Sequence, residues 1–371
     1  MKLGILITSI SNFGEKGFYN AQEVGLAKSI AKIVDQVIVY KLVTKEQDER
    51  VEKIRFVENA MIHFIPAKNF GINGFVNLKK LDAELDAMIH FSDTQFSVPK
   101  VYHWCKKNNI RYIPYIGVIE SHSTSGAKKL ITNLLFQRNL RIYRKSICFV
   151  KTPTVQKALI KMRVKNTIVS PVGLDLDLVH KDYAEQSKKA LCEKYGYSEE
   201  ERVLLFIGRM IDEKRPVEMI EIFATLYAQD KTYRLLMVGT GELKDDVKKA
   251  VKRHRLENMV QLIPRISNSD IWELYRMAEV FVNLNKEEIF GMAILEAMYY
   301  GCKVVARRAP GPDFIIESGK SGYLASNDKE IVEMILNGVI LKREANTRIV
   351  ECFSWDSMAI EVTEILKLTK D

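Results

Sequence analysis

Glu288 and Glu296 stand eight residues apart in the run Glu287-Glu288-Ile289-Phe290-Gly291-Met292-Ala293-Ile294-Leu295-Glu296-Ala297-Met298. Ile294, Leu295 and Met298 have the spacing of a buried helix face, and Phe290-Gly291 marks the first turn. Glu288 then sits just ahead of the helix and Glu296 along it. Backbone amides at Phe290, Gly291 and Met292 suit a phosphate, because a helix N-terminus carries unpaired N–H groups and partial positive charge. Carboxylates accept hydrogen bonds from hydroxyls, so two of them flanking an anion site fit a ligand with both phosphates and sugar hydroxyls, such as a nucleotide sugar. The same run also fits an acidic helix cap plus one exposed glutamate, and the cap is the reading taken for Glu287.

Two further loops carry candidate anion ligands. Phe206-Ile207-Gly208-Arg209 ends an apolar run, and Lys214 and Pro216 follow it. Pro216 suits the first turn of a helix, which leaves Arg209 and Lys214 in the loop beyond a strand's carboxyl end, where open α/β sheets bind ligands. There the two cations could hold a diphosphate. As a bare spacing they also fit a surface loop with two of the chain's 56 basic residues. Val238-Gly239-Thr240-Gly241-Glu242 is a glycine turn after another strand, permitting close approach of a ligand to the backbone. It lacks the third glycine of a dinucleotide fingerprint, so no NAD site is read from it. The five cysteines are scattered without a Cys-x-x-Cys pair, and Asp175-x-Asp177 falls in a linker-like stretch. No metal site is expected.

These loops need elements to hold them. Leu3–Thr8, Gln36–Lys41, Ala60–Phe64, Ala87–Phe91, Tyr112–Ile119 and Ile147–Val150 read as strands in the first half. Val203–Gly208, Tyr233–Val238, Val260–Ile263, Val280–Leu284 and Lys303–Ala306 read as strands in the second half. Pro216–Ala228, Leu243–His254 and Asp270–Ala278 have helical period between them. Such alternation predicts parallel sheets covered by helices, the doubly wound α/β class, and 371 residues suffice for two such domains. The polar stretch Val172–Glu201 is the expected junction. The domains are read as 1–175, 176–352 and a final segment 353–371. With 47% hydrophobic and 28% charged residues, the composition excludes a disordered chain, and no apolar run approaches the roughly 20 residues of a membrane-spanning helix.

The net charge of +9 is concentrated: residues 101–165 hold fourteen Lys and Arg against one acid, Glu120. Lys128, Lys129, Arg138, Arg141, Arg144 and Lys145 alternate with Leu134, Leu135, Phe136 and Leu140, which reads as a basic amphipathic helix. Taken alone, such a helix fits a solvated one that packs its apolar face on the domain core; the confinement of the charge to one region favours an anionic partner instead, either an anionic membrane surface, into which those four apolar side chains would bury, or a lipid diphosphate. No nucleic-acid-binding signature accompanies the charge, so nucleic acid is not expected.

Glu288-x7-Glu296 with Phe290-Gly291, upstream Gly208-Arg209 and Lys214, Gly239-x-Gly241, Pro310-Gly311-Pro312 and Phe353-Ser354-Trp355 together resemble the retaining GT-B glycosyltransferases of the large family 4. Order and spacing match over about residues 200 to 358. The resemblance implies two Rossmann-like domains across a cleft, the first for the acceptor and the second for the nucleotide sugar, with a last helix crossing back to the first. It implies that Glu288 contacts donor sugar hydroxyls, Glu296 the ribose, and Arg209 and Lys214 the departing diphosphate. The backbone around Pro264, Arg265 and Ile266 would face the base. Gly14-Glu-Lys-Gly17-Phe18-Tyr19 is similar to the family's glycine loop, which puts Gly17 near the donor phosphate and acceptor. Where the family has a histidine this chain has Glu120, with His122 two residues later, and either could take that role.

The function so implied is retaining hexosyl transfer from a nucleotide diphosphate sugar, UDP-sugar ahead of GDP-sugar, to a glycan or lipid-linked glycan in cell-surface polysaccharide biosynthesis. No cofactor or metal is required in that reading, and the location would be cytoplasmic and peripheral to the inner membrane face. A nucleotide-sugar epimerase or hydrolase on the same fold, and a non-catalytic partner subunit, are the alternatives. The glutamate pair with Phe290-Gly291 argues against the first and the retained Arg209, Lys214 and Glu288 against the second.

Overall fold

The computed structural model describes residues 1–10, 22–119, 126–176, 187–267 and 269–368, without the side chains of 127–129 and 368. Gly17, Glu120 and His122 lie outside the described residues. The chain forms two compact units, one up to Gly173 plus the chain from Trp355 onward, the other Leu174–Ser354.

In the first unit the strands are β1 (Lys2–Ile7), β2 (Gln36–Val43), β3 (Arg50–Lys53), β4 (Ala60–Pro66), β5 (Asn69–Phe70), β6 (Asn73–Gly74), β7 (Ala87–Phe91), β8 (Arg111–Ile116), β9 (Cys148–Val150) and β10 (Thr167–Val169). Eight form one sheet in the order β10-β9-β8-β7-β1-β2-β4-β3, while β5 and β6 make a separate hairpin. The large sheet is parallel except for β3, which runs antiparallel along β4. The chain works outward from β1 to β4 and then returns to the other side of β1, so β1 and β7 flank the switch point. The strand expected over Tyr112–Ile119 stops at Ile116. Beyond it the Asp93 carboxylate takes over from the ladder, accepting from the Gly117 and Val118 amides at 2.6 and 3.0 Å.

The basic stretch is helical over Gly126–Tyr143, but its apolar residues divide between two faces. Phe136, Leu140 and Tyr143, four and three residues apart, are buried in the unit's core. This corrects the expectation that Phe136 and Leu140 meet a membrane: both are already removed from water by the core, a burial that contributes roughly 1.5–3 kcal/mol each, so a bilayer offers them no further hydrophobic gain. Leu134 is exposed, together with Leu130 and Ile131. The terminal helix Trp355–Leu368 packs on the helix Gln22–Ala31 within the same unit. Lys32 meets Asp356 at 2.9 Å there.

The second unit has β11 (Arg202–Ile207), β12 (Tyr233–Val238), β13 (Val260–Ile263), β14 (Val280–Asn283), β15 (Lys303–Arg307) and β16 (Tyr323–Ala325), all parallel, in the order β13-β12-β11-β14-β15-β16. Val203, Leu204, Leu205 and Phe206 are buried in succession, as a strand covered on both faces requires. The chain moves from β11 through β12 to β13 and comes back to β14 on the other side of β11. The second switch point is therefore β11/β14.

Candidate active site

Loops leaving β11 and β14 meet at that switch point, and each is fixed by its own hydrogen bonds. After β11, Gly208 and Met210 donate to the carbonyls of Val238 and Thr240 at 3.0 and 2.9 Å, tying this loop to the one after β12. Gly239 has φ +149°, and a Cβ there would collide with the Gly208 carbonyl oxygen. What the missing side chain makes room for is thus the neighbouring loop. A short turn over Asp212–Lys214 follows, Arg215 takes a left-handed conformation at φ 54°, and Pro216 opens the helix Pro216–Gln229. Lys214 is thereby set two residues before the helix.

After β14, Asn283 Oδ1 accepts from the Asn285 amide at 3.0 Å and Asn285 Oδ1 from the Glu287 amide at 2.9 Å. This double side-chain turn presents Glu288. Gly311 donates its amide to the Glu288 carbonyl at 2.8 Å, and a Cβ on Gly311 would strike the Phe290 carbonyl, so the Pro310-Gly311-Pro312 segment lies directly against the Glu288–Phe290 backbone. Phe290 is buried with its ring edge-on to Phe353 at 6.3 Å. Gly291 caps the helix Met292–Tyr300.

Across the switch point Lys214 Nζ lies 2.6 Å from Glu288 Oε2, and Asn285 Nδ2 donates to the same oxygen at 3.2 Å. Two residues read as binding the adjoining diphosphate and sugar of one ligand are therefore in contact. Both side chains are partly exposed, at 27% and 16%, which leaves the pair open to exchange partners with a ligand. Arg209 is exposed on the same loop as Lys214. The amides at Gly291 and Met292 begin the helix beside Glu288, so Lys214, Glu288 and a helix N-terminus converge at the carboxyl ends of β11 and β14.

Glu296 lies in the second turn of that helix and accepts from the Tyr275 hydroxyl at 2.8 Å. Burial pushes its carboxyl up to about 7, against the lowering effect of that hydrogen bond. Tyr275 is buried and stacks on Tyr300 at 6.0 Å. Arg265 is exposed just past β13, whose Ile263 carbonyl accepts from Gly239. Asn285 and Tyr275 were missed by sequence reasoning. The signal for Asn285 was legible, since Asn283-Leu-Asn285 at a strand's end is a turn-forming pair. Nothing in the sequence pairs Tyr275 with Glu296. In the first unit, Thr8, His90 and Ser97 form a buried polar cluster at the β1/β7 switch point, with Thr8 Oγ1 3.2 Å from His90 Nε2 and 2.8 Å from Ser97 Oγ. Burial lowers the His90 imidazole to about 3, so it stays neutral. Among the described residues no group of three or more His, Cys, Asp or Glu side chains could hold a metal ion.

Residues 187–368 match the family model described as glycosyl transferases group 1. An alpha-monoglucosyldiacylglycerol synthase of Acholeplasma laidlawii is 24% identical over 289 residues, covering 77% of this chain and 68% of the relative. A GDP-mannose:cellobiosyl-diphosphopolyprenol alpha-mannosyltransferase of Xanthomonas campestris is 30% identical over 131 residues, 34% of each chain. Among solved structures, Anabaena HepE in complex with UDP and glucose superposes with a TM-score of 0.68 at 18% identity, over 99% of this chain and 100% of that one. Sucrose-phosphate synthase from Thermosynechococcus elongatus gives 0.73 at 16% identity, over 99% and 98%. Residues 187–368 thus match the glycosyl transferases group 1, and the chain has the α/β fold of the GT-B glycosyltransferases.

Proposed function

We propose that this glycosyltransferase moves a hexose from a nucleotide diphosphate sugar, a UDP-sugar ahead of a GDP-sugar, to a lipid-linked glycan, with retention at the anomeric carbon. The Lys214–Glu288 contact at the β11/β14 switch point carries the reading. A donor entering there exchanges that ion pair for two ligand contacts: diphosphate oxygens on Lys214 and Arg209, sugar hydroxyls on Glu288. Charge developing on the leaving diphosphate is met by the two cations and by the amides at Gly291 and Met292, so the protein's contribution is orientation and preorganised electrostatics. No metal is needed for that neutralisation. In retention, a leaving-group oxygen assists removal of the acceptor hydroxyl's proton on the same face of the sugar.

Glu296 is assigned to the ribose, and its raised acidity has a consequence. As a carboxyl ionising near 7, it becomes a full acceptor for ribose hydroxyls only as pH rises through that value. UDP affinity is expected to increase between pH 6 and 8, and Glu296→Gln, which cannot ionise, should lose that part of the increase. Calorimetric titration of both proteins across the range checks this; identical pH profiles would remove Glu296 from the ribose.

Several observations support the lipid-linked acceptor, polysaccharide synthesis and a peripheral position at the inner membrane face. They are the basic stretch in the first unit and the relatives whose names specify a glucosyldiacylglycerol product and a cellobiosyl-diphosphopolyprenol substrate. The donor is tested by a thermal-shift panel of UDP, GDP, ADP and CMP, since a ligand at 100 times its dissociation constant stabilises by about 2.7 kcal/mol. A shift with UDP, followed by NMR of a product whose anomeric configuration matches the donor's, is the expected result. Stabilisation by none of the four, or an inverted product, would refute the donor class or the retention.

A further inference from the structure

The hairpin β5–β6 holds its apolar side chains in water. Phe70, Ile72 and Phe75 are 62%, 58% and 53% exposed within six residues of chain. Their backbone is nevertheless pinned to the exit of β1: Gly74 donates to the Thr8 carbonyl at 2.8 Å, Ile10 donates to the Ile72 carbonyl at 2.8 Å, and Asn73 bridges to Ser9. Asn73 Oδ1 also accepts from the Phe96 amide at 3.1 Å, and the Phe96 ring lies 6.1 Å from Phe70 and 6.2 Å from Phe75. A held cluster of this kind is unlike a scatter of single surface apolar residues, which needs no explanation.

The helix Gly126–Tyr143 extends the surface. Arg138 Nη2 donates to the Gln95 and Phe96 carbonyls at 3.2 and 3.1 Å, which joins the helix to the same aromatic group. Leu134 is four residues earlier, so it lies one turn along the same side, and Leu130 and Ile131 continue that side. Leu130 and Leu134 are each 62% exposed and Ile131 45%. At 3.6 residues per turn Arg141 falls on this outer face as well, opposite Phe136 and Leu140 in the core, and Lys145 is exposed in the turn that follows the helix. Apolar side chains thus project beside exposed cations, which is the composition that favours an anionic lipid interface over a neutral protein face.

We propose that the β5–β6 hairpin, with Leu130, Ile131 and Leu134, is the element by which the first unit enters an anionic bilayer surface. The cations draw the unit to the headgroups, and Phe70, Ile72 and Phe75 enter the interfacial layer. Because the hairpin is bonded to the exit of β1, insertion sets the β1/β7 switch point at the level of lipid headgroups, where a lipid-linked acceptor presents its sugar. This rests on the lipid-linked acceptor reading above, and the experiment separates the two.

Wild type, a Phe70→Ser/Ile72→Ser/Phe75→Ser variant, and single Phe75→Trp and Leu134→Trp variants are mixed with vesicles of phosphatidylcholine, alone or with phosphatidylglycerol, at low and high salt. Wild type is expected to sediment with the anionic vesicles and to be released by salt. The triple variant, with an unchanged melting temperature as its folding control, should bind about tenfold more weakly. The introduced tryptophans should be quenched by lipids brominated in the upper acyl chain beyond the wild-type background. Wild type remaining in the supernatant with every vesicle would refute the membrane reading and this inference together. Wild-type binding with equal binding by the triple variant and no added quenching would overturn the hairpin's role alone. A change of oligomeric state in the triple variant, with lipid binding retained, would make the surface a contact between copies of the chain and likewise overturn it.

Discussion

Lys214→Ala is expected to lower turnover by about 100-fold or more, the scale for removing one preorganised group that meets developing charge. The size follows from how the side chain is held. Its position is set by the turn over Asp212–Lys214 and the helix opened by Pro216, and its ammonium is already at the switch point, 2.6 Å from Glu288. Little reorganisation is then required when the diphosphate departs. Arg209→Ala should act in the same direction and on a similar scale, because both cations are assigned to one leaving group. Steady-state kinetics with the donor identified by thermal shift, on variants that retain the wild-type melting temperature, provide the measurement. Unchanged turnover in both variants would remove the diphosphate role from this loop.

Glu288→Ala is expected to abolish transfer while keeping most of the affinity for free nucleotide. Its carboxylate is assigned to sugar hydroxyls, which UDP alone does not carry. Removing it leaves the Lys214 ammonium and the Asn285 amide without the oxygen they share, and Lys214 is then free to meet phosphate. Nucleotide affinity should hold or rise. Loss of nucleotide binding in a folded Glu288→Ala protein would show that the carboxylate serves the nucleotide. The two substitutions should also be non-additive in nucleotide affinity, since the groups touch: with Glu288 gone the ammonium answers only to phosphate, so Lys214→Ala is expected to cost more affinity in the Glu288→Ala protein than in wild type.

The α/β class was legible because parallel strands buried on both faces read as unbroken apolar runs; Val203-Leu204-Leu205-Phe206-Ile207 is one, and it is β11. Loop chemistry was legible too, since Gly208, Lys214, Pro216 and the Glu288–Glu296 run have local signatures at strand exits and helix starts. Shorter pieces were missed: β3, β10 and β16 are three or four residues long, too few to establish a period.

The meeting of Lys214 with Glu288, separated by 74 residues, depends on β14 returning to lie beside β11. Hydrophobic period specifies that a strand is buried and is silent on its neighbour, so sheet order, and with it the site, belonged to the tertiary structure. The basic helix shows the same division. Its sequence established the charge and the apolar content, yet Leu134 and Phe136 are equally apolar letters two residues apart. Which of them is core and which faces solvent was decided by where the sheet and the Gln95–Phe96 loop pack against the helix, because only those contacts remove one face from water.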